Sequence, residues 1–215
     1  ACLNLGGIAN ISYSKKEKTI AGDINFANMY SNYLAEKINL PFDENGEIAK
    51  NGKINKELLI QLNDLNFYKK TFPKSLSIED FENWYKPILN KNKCSVYDKL
   101  HTCGMHLAKT VKEKLKKDEK LLITGGGAYN DFWIKQFKDL KIDLVIPYTT
   151  LIEFKEALIF AFLGVLKIRN EINSLASVTG SSKNLKTGII HTPWKNYKKR
   201  ILVNLKIPNF FFTFD

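Results

Sequence analysis

An apolar run, Leu121-Leu122-Ile123-Thr124, stops at three consecutive glycines, Gly125, Gly126 and Gly127, and Ala128-Tyr129-Asn130 then leads into a helical pattern. Glycine has no Cβ, so its backbone can take positive φ and a ligand can lie directly against it. A strand, a glycine turn and a helix N-terminus, in that order, make a resting place for part of a nucleotide. A turn shaped only for packing has the same pattern, so the triplet alone leaves both readings open. A second glycine pair near the start, in Leu3-Asn4-Leu5-Gly6-Gly7-Ile8-Ala9-Asn10, repeats the arrangement.

With 215 residues and 44% hydrophobic content the chain can bury a core, which argues against disorder. The net charge is +11, but 31 of the 33 basic residues are Lys, with Arg169 and Arg200 the exceptions. Nucleic-acid readers rely on Arg for bidentate contacts, so the charge reads as compositional bias and no nucleic-acid partner is expected. Cys2, Cys94 and Cys103 are too scattered for a disulfide framework, and free thiols fit a reducing cytoplasm. Cys103 lies near His101 and His106, which reads as one mixed polar helix surface rather than a metal site. No stretch has the length of a transmembrane span, so no membrane association is expected. The chain opens on Ala1 with a buried-looking strand directly behind it, which reads as a start inside a fold.

Residues 2–5, 8–13 and 18–21 read as short strands, the last two joined as a hairpin through residues 14–18. Helices are expected over 28–38, over 55–65 with Asn55 as cap, and from a Ser77 cap through Trp84 and Tyr85. A longer helix is expected over 95–117, interrupted at Gly104. Residues 42–47 read as a loop, and Thr71-Phe72-Pro73-Lys74-Ser75 as a break. A strand at 121–124, a helix at 131–140 and a strand at 144–146 follow. Residues 156–168 are apolar nearly all round, the pattern of a helix central in a core. Strands alternating with helices predict an α/β class with a mixed sheet. A basic, aromatic tail, residues 194–215, reads as a poorly packed end or as a segment that docks on a partner.

Several of these pieces form an ordered set: Leu3 to Ile11 with its glycine pair, Asp23 with Asn28, Lys50 to Gly52, Asn66-Phe67-Tyr68, Pro73-Lys74-Ser75, Gly125 to Asn130, Glu156 to Leu163, and Ser177-Val178-Thr179-Gly180. The set closely resembles the anhydro-N-acetylmuramic acid kinase family, part of the sugar kinase/actin/Hsp70 ATPase superfamily, over residues 1–193. The resemblance implies a ribonuclease H-like, actin-type ATPase lobe. It also implies a chain that lacks most of the N-terminal lobe, whose glycine-rich phosphate hairpin with its Asp has no counterpart here. Residues 1–193 would be the end of lobe one plus lobe two.

The same resemblance implies roles for particular residues. Gly6, Gly7 and Asn10 match the second phosphate loop, whose backbone N–H groups approach phosphate oxygens. Asp23 matches the catalytic general base, which activates a water that opens the 1,6-anhydro bridge while O6 takes the γ-phosphoryl group of ATP. Asn28 and Lys74 match substrate-side positions. Many relatives place a Thr-Gly-Pro turn directly after the Asp, whereas here the run is Asp23-Ile24-Asn25-Phe26-Ala27-Asn28. Gly125, Gly126, Gly127 and Asn130 match the adenosine motif, and Glu156 a carboxylate facing the cleft. Mg²⁺ would neutralise the phosphates, with Asp23 helping to hold its hydrated form. The implied protein is a cytoplasmic sugar kinase of cell-wall amino sugar recycling and a possible homodimer. The altered turn, the missing lobe and the aromatic tail also allow a non-catalytic nucleotide-binding or interaction module.

Overall fold

The computed structural model describes residues 1–191. Strands β1 (Cys2–Leu5), β2 (Ile8–Lys15), β3 (Lys18–Phe26), β4 (Lys120–Thr124) and β5 (Asp143–Val145) form one sheet in the order β3-β2-β1-β4-β5. β2 is antiparallel to both its neighbours, whereas β1, β4 and β5 run parallel. The helices are α1 (Asn28–Glu36), α2 (Glu47–Lys50), α3 (Lys56–Asn63), α4 (Asn66–Lys69), α5 (Ile78–Asp80), α6 (Lys86–Lys91), α7 (Val96–Lys112), α8 (Asp131–Asp139), α9 (Thr149–Ile168) and α10 (Ala176–Thr179). This is the mixed α/β lobe expected from the sequence.

Local chemistry sets the element ends. Asn55 caps α3, its side chain accepting from the Leu58 N–H at 2.8 Å. Ser77 and Asp80 form a reciprocal capping box, which satisfies two otherwise unpaired N–H groups. Ser95 caps α7 by accepting from the Asp98 N–H. Gly104 does not interrupt α7; a Cβ there would lie 2.6 Å from the Phe132 ring, so glycine lets α8 pack close. β3 extends to Phe26 rather than ending at residue 21, because Ile24, Asn25 and Phe26 are buried beside β2. Asp23 therefore lies within a strand.

One face of the sheet carries the core. Leu3, Leu5, Leu121 and Ile123 join Tyr30, Leu107, Val111, Trp133 and Phe137 in a single buried cluster beneath α1, α7 and α8. Each such side chain contributes about 1.5–3 kcal/mol by leaving water. Cys103 and His106, expected on a polar helix surface, are buried here. α9 departs furthest from expectation. It starts at Thr149 rather than near residue 156, and it is not central in the core. Phe154, Leu158, Phe160 and Phe162 are 61, 55, 70 and 56% exposed. Its main contact among the described residues is the turn Gly126–Tyr129. No helix among the described residues is long and apolar enough to cross a membrane. The basic and aromatic tail lies outside the described residues.

Candidate functional site

Asn4 of β1 and Thr124 of β4 are partners in a parallel ladder. The glycines that follow each strand, Gly6-Gly7 and Gly125-Gly126-Gly127, therefore emerge side by side, one strand spacing or about 5 Å apart. From this point the chain leaves β1 toward β2 on one side and leaves β4 toward β5 on the other. A crevice outside the carboxyl ends of strands that diverge in this way is where open α/β sheets bind ligands.

A polar row crosses the sheet at the same level. Thr124 pairs with Asn4, Asn4 with Asn10, and Asn10 with Asp23. Registered partners point to the same face, so all four side chains share one. A bulge after Ala9 puts Asp23 in this row: Ala9 faces Asn25, yet Asn10 faces Asp23, and Ile24 is the extra residue. A bulge re-aims the side chains beyond it; with an unbroken ladder, Ile24 would stand opposite Asn10. The sequence gives no sign of this shift.

The loop after α4 fixes Asp23. Its N–H donates to the Lys74 carbonyl at 3.0 Å, and its Oδ2 accepts from the Leu76 N–H at 2.7 Å. Half-burial raises its carboxyl pKa above the usual range, and the Leu76 N–H opposes the rise. Gly22 must be glycine, because a Cβ would lie 2.6 Å from the Lys74 carbonyl. Lys74 lies beside Asp23 along the backbone, but its ammonium points elsewhere. It donates to the Phe67 carbonyl at 3.1 Å and sits 4.1 Å from the Phe67 ring centre. Burial, with Lys114 and Lys70 nearby, lowers its pKa to about 8.

The Gly6-Gly7 turn takes no positive φ. Its carbonyls receive the N–H groups that open α1: Gly7 accepts from Ala27 and Met29, and Gly6 from Asn28. In a trans peptide the N–H points opposite to the C=O, so the Gly7 N–H faces away from α1. Asn28 donates through Nδ2 to the Leu5 carbonyl at 3.3 Å, which ties α1 to the end of β1.

The glycine triplet divides three ways. Gly125 has φ +81, and its Cβ would lie 2.8 Å from the Leu5 carbonyl. Gly127 is a packing residue, with Leu5 and the Trp133 ring each 2.6 Å from a Cβ. Only Gly126 has open space; its nearest neighbour would be Asn28 Nδ2 at 3.9 Å. Gly126 lines a cavity of about 380 Å³ with Asn28, Asn32, Phe42, Glu44 and Tyr129. Asn130 also borders it, but its Oδ1 caps α8 by accepting from the Trp133 N–H at 3.0 Å. Phe42 and Glu44, in a stretch that reads only as a loop, are wall residues the sequence did not reveal.

A family model for anhydro-N-acetylmuramic acid kinase matches residues 1–193. The chain belongs to the anhydro-N-acetylmuramic acid kinase family. Among curated relatives with that name, one from Actinobacillus pleuropneumoniae serotype 7 is 32% identical over 202 residues, covering 88% of this chain and 55% of the relative. One from Clostridioides difficile is 32% identical over 208 residues, covering 88% and 54%. The chain thus spans about half the length of the curated relatives it matches. Among solved structures, an activator of 2-hydroxyisocaproyl-CoA dehydratase from Clostridium difficile with bound ADPNP is 13% identical, covers 80% of this chain and 63% of that one, and gives a TM-score of 0.43.

Within this member of the anhydro-N-acetylmuramic acid kinase family, the fold gathers Gly6, Gly7, Asn10, Asp23, Asn28, Gly125, Gly126 and Gly127 around the ends of β1 and β4. Lys74 stands at the margin with its ammonium turned away. Glu156, expected in the first turn of an apolar helix, lies well inside α9 and is exposed. Its neighbour Lys155, which sequence reasoning passed over, reaches the centre of the site. Its ammonium donates to Asn4 Oδ1 and, at 3.0 Å, to Thr124 Oγ1.

Proposed function

We propose that this chain is the part of an ATP-dependent kinase that holds the nucleotide and the catalytic carboxylate, acting on 1,6-anhydro-N-acetylmuramate in the cytoplasmic recycling of cell-wall amino sugars. The observation that carries the reading is the polar row Thr124–Asn4–Asn10–Asp23, with the two glycine turns at one end and the single acidic residue at the other. The base and ribose of ATP would lie in the cavity at Gly126, and its phosphates against Gly6, Gly7 and Gly125. The sugar would sit toward Asp23, about 10 Å from Asn4 across two strand spacings.

Asp23 supports a role as general base. Its Oδ2 is held by the Leu76 N–H, so the carboxylate keeps a fixed direction and Oδ1 can accept a proton from water. Burial raises its basicity, which favours proton abstraction near neutral pH. The bulge and the 73–76 loop aim the carboxylate. The water whose proton goes to Asp23 would attack the anomeric carbon, the bridge bond would break toward O6, and O6 would take the γ-phosphoryl group as its bond to ADP breaks and ADP leaves. Magnesium, when bound, would neutralise the phosphates. Such ions are held by one or two carboxylates plus phosphate oxygens and water, and Asp23 Oδ1 fits that modest requirement.

Asp23→Asn tests the reading in the full-length protein, with ADP release on adding the anhydro sugar as the measurement. We expect turnover to fall by about 100-fold or more, the usual range for losing a general base, with affinity for magnesium-free ADP unchanged. Activity within a few-fold of the parent would remove Asp23 from that role.

A further inference from the structure

Lys155 lies on α9 and sends its ammonium between two neutral oxygens, Asn4 Oδ1 and Thr124 Oγ1. These acceptors are the registered pair at the carboxyl ends of β1 and β4. An ammonium has three N–H donors, so two are engaged and one remains. No carboxylate lies within ion-pair distance of Lys155 among the described residues. The charge is half-buried, and desolvation lowers its pKa although Glu156 opposes the shift. A partly desolvated charge held only by neutral oxygens attracts an anion to complete its shell.

The surroundings converge on the same point. Asn4 Nδ2 lies 3.4 Å from where a Gly6 Cβ would be, and Asn4 Oδ1 2.8 Å from where a Gly125 Cβ would be. Lys155 therefore sits over the residue that separates the two glycine turns. The Gly7 N–H, turned away from α1, adds a second donor at this end of the sheet.

We propose that Lys155 is a phosphate-binding residue that spans the two glycine turns and takes an oxygen of the nucleotide's diphosphate as its third partner. The nucleotide identity rests on the reading given under Proposed function; the anion site rests on the geometry of Lys155 itself. α9 thereby acquires a role its apolar sequence conceals: it delivers one positive charge to the sheet ends.

Calorimetric titration of the 215-residue chain with ADP, adenosine and inorganic pyrophosphate separates the possibilities. Lys155→Met keeps the side chain's length and removes its charge, and Lys155→Arg keeps the charge; melting curves establish that both fold. We expect Lys155→Met to weaken ADP and pyrophosphate by about ten- to a hundred-fold, the scale of a charge-assisted hydrogen bond. Adenosine affinity should stay within two-fold, and Lys155→Arg should recover most of the loss. Equal weakening of adenosine and ADP would mean a purely structural role and would overturn the proposal. So would ADP and pyrophosphate affinities within two-fold of the parent in a folded Lys155→Met chain, or no pyrophosphate binding by the parent. If the parent binds pyrophosphate in a Lys155-dependent way but shows no preference for ADP over it, the anion site stands and the nucleotide reading fails.

Discussion

His106 sits fully buried on α7, with Nδ1 3.2 Å from the Asn25 amide and Nε2 without a partner among the described residues. Tyr68 donates to Asn25 Oδ1 at 2.7 Å, and the Asn25 amide also reaches Thr110. Protonation would force a second N–H donor into this dry space, and Lys109 adds repulsion, so the pKa falls to about 3. A folded-state pKa below the unfolded value of about 6.5 means that His106 is neutral in the native protein. Its contribution is whole above pH 6.5 and is lost as pH falls toward 3, where the unfolded chain binds a proton and the folded one does not. Between pH 6.5 and 5 the loss is about 2 kcal/mol. Urea midpoints should drop over that window in the parent and stay flatter in a His106→Gln chain.

The triplet makes a second residue-scale test. Gly127→Ala places a methyl against Leu5 and Trp133 and should cost about 1–3 kcal/mol by overpacking. Gly126→Ala meets nothing closer than 3.9 Å, so stability should stay within about 0.5 kcal/mol, while the methyl enters the cavity and weakens ADP. Denaturation and ADP titration of both variants check the split. Identical effects of the two would contradict the division of roles. Three identical letters in the sequence carry none of this, because the neighbours that distinguish them come from β1, α1 and α8.

At the scale of elements, α9 shows where periodicity misleads. A helix apolar all round has no stripe to orient it, and such helices normally lie in cores. Here Phe154 and Phe160 are more than half exposed, and exposed apolar patches of this kind mark surfaces that meet something else. Phe154→Ser with Phe160→Ser should leave the unfolding midpoint nearly unchanged and sharply lower the fluorescence of a hydrophobic dye such as ANS. A loss of several kcal/mol would mean that α9 packs against the core in solution. Elsewhere the elements were legible. Asn55 and Ser77 announced their helices through capping chemistry that acts within three residues, and each makes that bond; Ser95 caps α7 in the same way. β3 ran longer than its sequence suggested, because Asn25 is held by partners from α7 and from Tyr68, far along the chain.

Across the whole molecule, the site exists because residues about 120 positions apart become strand neighbours. The family was legible through its resemblance to short ordered motifs, and the α/β class and the two glycine turns through runs of a few residues each. The bulge that turns Asp23 into the polar row, the Asn4–Thr124 register and the reach of Lys155 from α9 were not. Each depends on which strand lies beside which, and a one-residue shift in pairing reverses every side chain's face. The sequence by itself determined which residues are available for phosphate and proton chemistry, because glycine's missing Cβ and a carboxylate's basicity are properties of single residues. Only the tertiary structure decided which of them meet, because meeting is set by register, burial and the close packing of distant segments.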